Sequence, residues 1–276
     1  MWRNYLTVGL RALIRSKTYA FINIVGLAVG LAACLMLLLY VRYEMSYDRW
    51  LPEAERIYQV QAVSTDPEEP QPQPMRSVHR PVGPALAQAF PQIESFSRLE
   101  YDSPVFLRDG EAMAVENMRI ADQAFFQIIQ LPFLRGDPET ALSGLDSLVL
   151  SESEAIRLFG TVDVLGQTVT ALRRGEQQAL RVTGVFEDIP RNSHMNFRMV
   201  GRIIELDKEQ CGWGCINGWV YLKLRPGADA EAINAGLAPW ERRNIPPVDV
   251  GGRQVSEGDL FDWRLVNIRD VHLSGA

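Results

Sequence analysis

The sequence predicts an α+β or mixed α/β domain of 234 residues attached to one N-terminal transmembrane helix. Two observations support this fold class. Residues 19–41 form a run of 23 residues without Asp, Glu, Lys or Arg. After this run, strand patterns alternate with helix-forming segments and hairpin turns, which is the order of elements in sheets covered by helices. The segment after residue 42 is also long enough to bury a core of its own.

The uncharged run is long enough to cross a bilayer. At about 1.5 Å per residue, a helix of this length spans roughly 30 Å of hydrocarbon. In lipid, every backbone N–H and C=O needs an internal partner, which a helix supplies. A buried core helix is the alternative, but such helices are usually shorter and carry a polar stripe. We therefore predict a transmembrane helix at residues 18–42.

Two kinds of processing signal are further interpretations of the same run. The run is longer than the apolar core of a secretory signal peptide, and it ends in bulky Leu, Tyr and Val residues. Leu31, Ala32, Ala33 and Cys34 resemble a lipoprotein cleavage box. The residues that follow Cys34 remain apolar, however, where a mature lipoprotein normally becomes polar.

Small side chains recur along one row of the predicted helix. Gly26 and Gly30 form a GxxxG pattern, and Cys34 continues the row. Small residues at this spacing allow a second membrane helix to approach closely, so the row predicts a packing face.

Residues 1–17 have the pattern of an amphipathic helix. Apolar side chains recur on one face, whereas Arg11 and Arg15 lie on the other. A basic helix with aromatic residues on its apolar face is typical of the membrane interface, so we expect contact with membrane lipid. A helix packed on protein is the alternative. Four basic residues precede the span and three follow it, which indicates a cytoplasmic N-terminus with the larger segment outside.

The remaining segment is acidic. Five of the 28 Lys and Arg residues lie within residues 1–42, which leaves 23 against all 34 acidic residues, a net charge of −11. This balance argues against nucleic acid as a partner and against electrostatic binding to an anionic membrane surface.

Two cysteines lie close together in the acidic segment. Cys211 and Cys215 are separated by Gly-Trp-Gly, and the glycines give the backbone freedom to close a small disulfide loop. An oxidising compartment would favour this link, and free thiols are the alternative. A zinc site is not expected, because the sequence offers no second pair of ligands.

The acidic segment shows the signals of many short elements. Residues 56–63 alternate as a strand does, and residues 147–151 form a short apolar strand. Ser151 and Glu154 form a capping box for a helix that ends before Gly160. Asp122 is expected to cap a helix that runs through Ile129. Further strands are predicted at 97–101, 103–107, 114–119, 167–172, 179–186, 219–224 and 263–268, helices at 84–90 and after Asp229, a turn at 109–110, and an exposed polyproline-type loop at 66–74.

Patterns of catalytic and metal-binding residues are missing from the sequence. His79, His194 and His272 lie far apart and lack ligand-like neighbours, so each is expected to be structural or exposed. The sequence contains no HExxH, GxSxG or GxxxxGK pattern. We therefore predict no catalytic residue, no metal site and no cofactor, and we do not expect the chain to be an enzyme.

A set of short motifs follows in a characteristic order. They are YEMSYDR at 43–49, RIY at 56–58, FF at 125–126, LRGD at 134–137, AL at 141–142, LVLSE at 148–152, Ala155, FG at 159–160, LG at 165–166, VTGV at 182–185, DIP at 188–190, NSH at 192–194, YLKLRPG at 221–227 and HL at 272–273. In order and spacing, this set resembles the first membrane helix and periplasmic core domain of a MacB/FtsX-like ABC transporter permease. The resemblance covers nearly the whole chain.

The resemblance implies a two-lobed periplasmic domain at residues 43–276. One lobe would comprise residues 50–135 and 218–276, and the inserted lobe residues 136–217. It also implies a bacterial inner-membrane permease that acts as a dimer and is driven by a separate cytoplasmic ABC ATPase. Further membrane helices would follow the periplasmic domain, so that this chain corresponds to the N-terminal part of the permease.

Three hypotheses for the function follow. The first is a permease subunit whose outer domain relays motion to and from the membrane helix, with Tyr43, Tyr47 and Trp50 packing at the junction. These aromatic residues could instead simply lie at the membrane interface. The second is a membrane-anchored periplasmic binding or adaptor protein, and the third is an anchored hydrolase, which the missing motifs disfavour.

Overall fold

The computed structural model describes residues 2–64, 74–108, 111–113, 115–173, 175–204, 212–213, 216–250, 253–255 and 261–275. They divide into two compact units, Met1–Ser46 and Tyr47–Ala276. We call these the helical unit and the sheet unit.

The helical unit consists of two helices. Helix α1 (Trp2–Arg15) and helix α2 (Lys17–Glu44) are separated by Ser16. A helix covers the span predicted to be transmembrane and extends beyond it at both ends, from Lys17 to Glu44. Nearly all apolar side chains of α2 are exposed, and by length and composition this helix can cross a membrane. Such a surface is stable in lipid rather than in water.

The sheet unit contains most of the secondary structure. After a 3-10 turn at Ala54–Arg56, its elements are β1 (Ile57–Ser64), β2 (Pro74–Met75), β3 (Val78–His79), α3 (Val82–Ala89), β4 (Ile93–Tyr101), β5 (Val105–Arg108), β6 (Glu111–Met113), β7 (Met118–Ala121), α4 (Phe125–Ile128), β8 (Phe133–Gly136), β9 (Ser147–Ser151), α5 (Glu152–Phe159), β10 (Thr168–Arg173), β11 (Glu176–Phe186), β12 (Met199–Arg202), β13 (Ile216–Leu224), α6 (Ala230–Asn244), β14 (Val248–Val250), β15 (Arg253–Val255) and β16 (Phe261–Asn267).

Fourteen of the strands in the described ranges form one mixed sheet. Its path is β16-β1-β13-β4-β7-β12-β9-β11-β10-β5-β6, with β2 beside β1, β3 beside β13 and β8 beside β11. The pairs β7–β12 and β9–β11 are parallel, and the other neighbours are antiparallel. Strands β14 and β15 pair separately. The mixed α/β class predicted from the sequence is thus confirmed.

Alternation along β13 divides the core between the two faces of the sheet. Val220 and Leu222 pack with side chains of α3 and α6, a group that we call the α6 cluster. Trp219 and Tyr221 point the other way, into a group formed with α4 and segments near residues 51–54 and 186–200, the α4 cluster. A third cluster packs α5 against β9, β10 and β11. Because successive strand residues face opposite sides, one strand contributes to two cores.

Local signals account for several helix ends. The hydroxyl of Ser151 accepts a hydrogen bond from the backbone N–H of Glu154, and Gly160 ends α5 in the left-handed conformation with φ 78°. The carboxylate of Asp229 accepts from the backbone N–H of Glu231 at the start of α6. These are the caps predicted from the sequence. The Glu154 carboxylate does not complete the capping box, because it pairs with Arg157 instead.

The expected cap by Asp122 is wrong. The residue at the N-cap of α4 is Ala124, and no side chain caps this helix. The Asp122 carboxylate instead accepts hydrogen bonds from Arg98, at 2.7 Å from Nη2 and 2.9 Å from Nε. A charge-assisted pair with two parallel bonds is stronger than a bond to a single backbone N–H. The Asp122 carboxylate therefore binds Arg98 rather than the N-terminus of α4.

Three other predictions fall partly or wholly outside the described residues. The strand expected at 114–119 begins later, as β7 at Met118. Most of the polyproline-type loop at 66–74 and the turn at 109–110 lie outside the described ranges.

Candidate functional site

A buried polar network lies in the sheet unit and includes Tyr221, a member of the α4 cluster. Strand β13 directs Tyr221 into this cluster, where the tyrosine is fully buried. Its hydroxyl lies 2.7 Å from Nε2 of His194 and accepts a hydrogen bond of 3.3 Å from Nε2 of Gln59. Burial, and next the nearby Asp48 carboxylate, raise the pKa of the Tyr221 hydroxyl well above its usual value. The hydroxyl is therefore a neutral donor and acceptor.

Asp48 closes one end of the network. Its backbone is left-handed, with φ 55°, a conformation that Asp tolerates better than most residues. The buried carboxylate accepts from the Ser193 hydroxyl at 2.5 Å, from the backbone N–H of His194 at 3.2 Å, and from Nδ1 of His194 at 2.7 Å. The backbone N–H of Asp48 also donates to the carbonyl of Asn192. A buried carboxylate needs several donors, and Ser193 and His194 supply them.

The proton positions in this network follow from the partners. An imidazole with its hydrogen on Nδ1 donates to Asp48, and its free Nε2 then accepts from the Tyr221 hydroxyl. This neutral tautomer gives a partner to every polar atom of the three side chains. The arrangement has the shape of a catalytic triad, but the side chains of Asp48 and His194 are 0% exposed. Because both side chains are closed to solvent, the contacts that they make here are structural ones.

The network continues to the C-terminal end of the sheet unit. Nε2 of Gln61 donates to Oε1 of Gln59 at 3.2 Å and lies 2.9 Å from the hydroxyl of Ser274. The rings of Tyr47 and His272 stack in parallel, with centroids 3.5 Å apart. The segment that begins the sheet unit and the turn after β16 are thus both tied to the same strands.

A second polar cluster holds the same initial segment at the surface. Glu53 has a left-handed backbone, with φ 52°, and its carboxylate accepts from Nζ of Lys223 at 2.6 Å and from Gln130. Arg56 bonds to both Glu53 and Glu94. The hydrogen bond from Lys223 is the main cause that lowers the pKa of Glu53 to about 2. Polar contacts thus hold both left-handed residues, Asp48 and Glu53, and left-handed backbone at residues other than glycine is often found at functional segments.

The residues predicted for the junction belong to two different units. Tyr43 lies exposed on α2, in the helical unit. Tyr47 stacks on His272, and Trp50 is half-buried against the α4 cluster. Sequence reasoning missed Asp48, His194 and Tyr221 as a group, although all three lie within the motifs that carry the family resemblance.

The remaining predicted positions are the small-residue row of α2 and the cysteine pair. Within α2, a Cβ atom added at Gly26 or Gly30 would meet no atom within 4 Å, and Cys34 is an exposed free thiol. Cys211 and Cys215 lie outside the described residues. Within the part of the chain that the structure describes, no group of three or more His, Cys, Asp and Glu side chains could hold a metal ion.

Comparisons with known proteins agree with this architecture. The model of the MacB-like periplasmic core domain matches residues 20–239. A domain of a putative permease protein from Porphyromonas gingivalis is similar, with a TM-score of 0.60 and 23% identity over 79% of this chain and 92% of that one. The periplasmic region of MacB from Actinobacillus actinomycetemcomitans has a TM-score of 0.52 and 14% identity, over 80% of this chain and 92% of that one. No curated protein sequence matches the chain.

The two structural likenesses show a shared fold, and the family match spans most of the chain, including part of α2. The family is a component of transporter permeases rather than a typical enzyme. The chain therefore belongs to the family of MacB-like periplasmic core domains of ABC transporter permeases.

Proposed function

We propose that this chain is the N-terminal part of a permease subunit, and that its outer domain relays motion driven by a separate cytoplasmic ABC ATPase. The observation that carries this proposal is the buried network from Asp48 to Ser274. It ties the segment that follows α2 in the sequence to the strands of the sheet and to the C-terminal turn.

A relay needs stiff coupling where motion enters. An ATPase can bias a conformational equilibrium only through contacts that differ between the states, and flexible chain between them would absorb the motion. Moving the segment at 47–51 away from residues 192–194 would leave the Asp48 carboxylate buried without donors, which is costly. The segment and the sheet therefore move as one body.

The assembly follows from the same family. The small-residue row at Gly26, Gly30 and Cys34 would pack against the remaining permease helices or a second copy of the permease, and the rest of α2 would face lipid. We place the N-terminus in the cytoplasm of a bacterium and the sheet unit in the periplasm, at the inner membrane. The division into two lobes remains a proposal. Strands β12, β9, β11 and β10, from residues 136–217, are adjacent, but β5, β6 and β8, from the segment assigned to the other lobe, pair with the same part of the sheet.

An insertion tests the relay. A flexible Gly-Ser linker placed after Ser46, in the full-length permease with its ATPase in liposomes, should leave expression and ATPase binding intact. Transport-linked ATP hydrolysis should fall by about tenfold, within the usual range of coupling energies. The matched control is the same linker after Gly175, in the exposed turn between β10 and β11, where activity should be retained.

Unchanged activity after a long insertion at Ser46 would contradict the relay. The outer domain would then be better described as a tethered binding or adaptor module, the second hypothesis derived from the sequence. Loss of ATPase binding in the same variant would show instead that the insertion disrupts assembly.

A further inference from the structure

Arg119 is a buried cation with no anionic partner in the part of the chain that the structure describes. Its side chain extends from β7 and the residue is 4% exposed. Nε and Nη1 are buried and have no hydrogen-bond partner among the described residues. Ion pairs within the described ranges do not include Arg119 either.

The other two buried arginines among the described residues, Arg80 and Arg98, each form an ion pair with a carboxylate, unlike Arg119. Arg80 pairs with Glu100 at 2.9 Å, and Arg98 pairs with Asp122 at 2.7 Å. Both carboxylates come from neighbouring elements of the same sheet unit. Among the described residues, an acid therefore pairs with each buried guanidinium except that of Arg119. Burial lowers the pKa of Arg119, because no carboxylate offsets the loss of water.

Two aromatic rings hold the guanidinium in place. Its carbon Cζ lies 3.3 Å from the ring centroid of Tyr101 and 5.2 Å from that of Trp219. Tyr101 pairs with Arg119 in the β4–β7 register and remains 63% exposed, whereas Trp219 on β13 is nearly buried. The rings stabilise the charge through their faces, but they offer no acceptor to the N–H groups in the guanidinium plane. The cation is held in position with its hydrogen-bonding edge unused.

We propose that Arg119, Tyr101 and Trp219 form a binding site for a carboxylate. A carboxylate matches the planar fork of a guanidinium and accepts two parallel hydrogen bonds. Tyr101 is the exposed member of the group, so a carboxylate would reach the guanidinium from its side. The net charge of −11 on the segment from residue 43 disfavours multiply charged anions such as phosphates, so a single carboxylate is the better ligand. Arg, Tyr and Trp are also the residues most enriched where binding energy is concentrated.

Calorimetric titration of the full chain in detergent micelles tests the site with defined probes. The first probe is the peptide N-acetyl-Gly-Glu-Gly-amide, and its neutral match has Gln in place of Glu. The Glu peptide should bind and the Gln peptide should not. Sodium acetate distinguishes the source: competition by acetate means that a free carboxylate suffices, and no competition means that a peptide must present it.

Variants separate a binding role from a structural one. Arg119→Met should abolish binding of the Glu peptide while raising the melting temperature by about 2 °C or more, because an unpaired buried charge is replaced by an apolar side chain. Arg119→Lys keeps the charge but loses the fork and should weaken binding about tenfold. Arg181→Gln, at an exposed arginine paired with Asp146, is the matched control and should bind as the wild type does.

Three results would overturn the proposal. They are no binding of either carboxylate to the wild type at millimolar concentration, equal binding of the Gln peptide, and binding that persists in Arg119→Met. A lower melting temperature in Arg119→Met together with no binding by the wild type would identify Arg119 as a purely structural cation. The test does not depend on the relay, since it needs neither the ATPase nor transport.

Discussion

Asp48 carries four hydrogen bonds at a position where the side chain is fully buried, and all donors to its carboxylate come from residues 193–194. Asp48→Asn preserves the shape but turns an –NH₂ group toward groups that are themselves donors. We expect the free energy of unfolding to fall by about 2–3 kcal/mol, the usual value of hydrogen bonds to a charged group. Urea titration followed by tryptophan fluorescence measures this loss.

The control for Asp48→Asn is Asp262→Asn, at an exposed position on β16. It removes the same charge and should change the free energy of unfolding by less than about 0.5 kcal/mol. If both variants lose equal stability, the effect comes from net charge and the network at Asp48 contributes little.

Glu53 makes the stability of the sheet unit depend on pH. Its pKa is lowered from 4.5 to about 2 in the folded protein, mainly by the hydrogen bond from Lys223. The ionised form therefore stabilises the fold fully above pH 4.5, and this contribution disappears as the pH falls toward 2. Because the Glu53 side chain is 38% exposed, solvent screening limits it to less than about 1 kcal/mol. Glu53→Gln should flatten the decline of stability between pH 4.5 and 2; an unchanged decline would assign it to other carboxylates.

The disulfide between Cys211 and Cys215 remains a prediction, which rests on their spacing and on the expected oxidising compartment. We expect a disulfide in protein isolated from the periplasmic side of the membrane, since the two glycines between them allow a tight loop. Mass spectrometry of peptides prepared without reductant measures the link. Two free thiols in protein protected from reduction during isolation would refute it, and Cys34, an exposed free thiol on α2, serves as the internal control.

At the scale of elements, the pairing of β13 with β4 positions both Trp219 and Tyr221. A Cβ atom at Gly218 would lie 2.4 Å from the carbonyl oxygen of Leu99 and 2.9 Å from Cα of Glu100, both backbone atoms that cannot move alone. Gly218→Ala should therefore separate the strands locally and cost about 2 kcal/mol or more. Thermal unfolding measures the loss.

Gly201 on β12 is the matched control, because an added Cβ there meets the end of the flexible Met118 side chain at 3.0 Å. Gly201→Ala should cost less than about 1 kcal/mol, since the methionine can change rotamer. Equal losses of stability in the two variants would mean that the close approach of the two backbones at Gly218 does not determine the cost of the added Cβ.

Elements with strong local signals were predictable from the sequence. Alternation predicted β1, an apolar run predicted β9, and caps predicted the ends of α5 and the start of α6. Strands β8 and β12 were missed, because their sequences, FLRG and MVGR, neither alternate apolar and polar residues nor form an uninterrupted apolar run. Asp122 misled the prediction because its partner Arg98 lies 24 residues away.

The candidate site could not be assembled from the sequence, for a related reason. Asp48 and His194 are separated by 146 residues, and no local pattern links a buried Asp on a turn to a His on a loop. The motifs that carry the resemblance marked the segments at 43–49, 192–194 and 221–227, but not the bonds between them. What joins them is the strand order, which depends on contacts distant in sequence.

At the scale of the whole molecule, charge and hydropathy divide the chain at the same place. Residues 1–42 carry five basic residues and no acidic ones, and all 34 acidic residues lie beyond them. Basic residues next to a membrane helix are retained on the cytoplasmic side, and four of them precede the span whereas three follow it closely. Large domains are translocated largely regardless of their charge. The division therefore favours a cytoplasmic α1 and a translocated sheet unit.

Protease accessibility tests this orientation. Protease added outside intact spheroplasts that express the chain should degrade the region beyond residue 47, beginning in exposed loops, while a short N-terminal fragment containing α1 and α2 survives in the membrane. A tag at the N-terminus should become accessible only after the spheroplasts are lysed, and a cytoplasmic marker enzyme verifies that they were intact. Full protection of the sheet unit before lysis would reverse the orientation, and with it the proposal that the domain relays motion from a cytoplasmic ATPase to the periplasm.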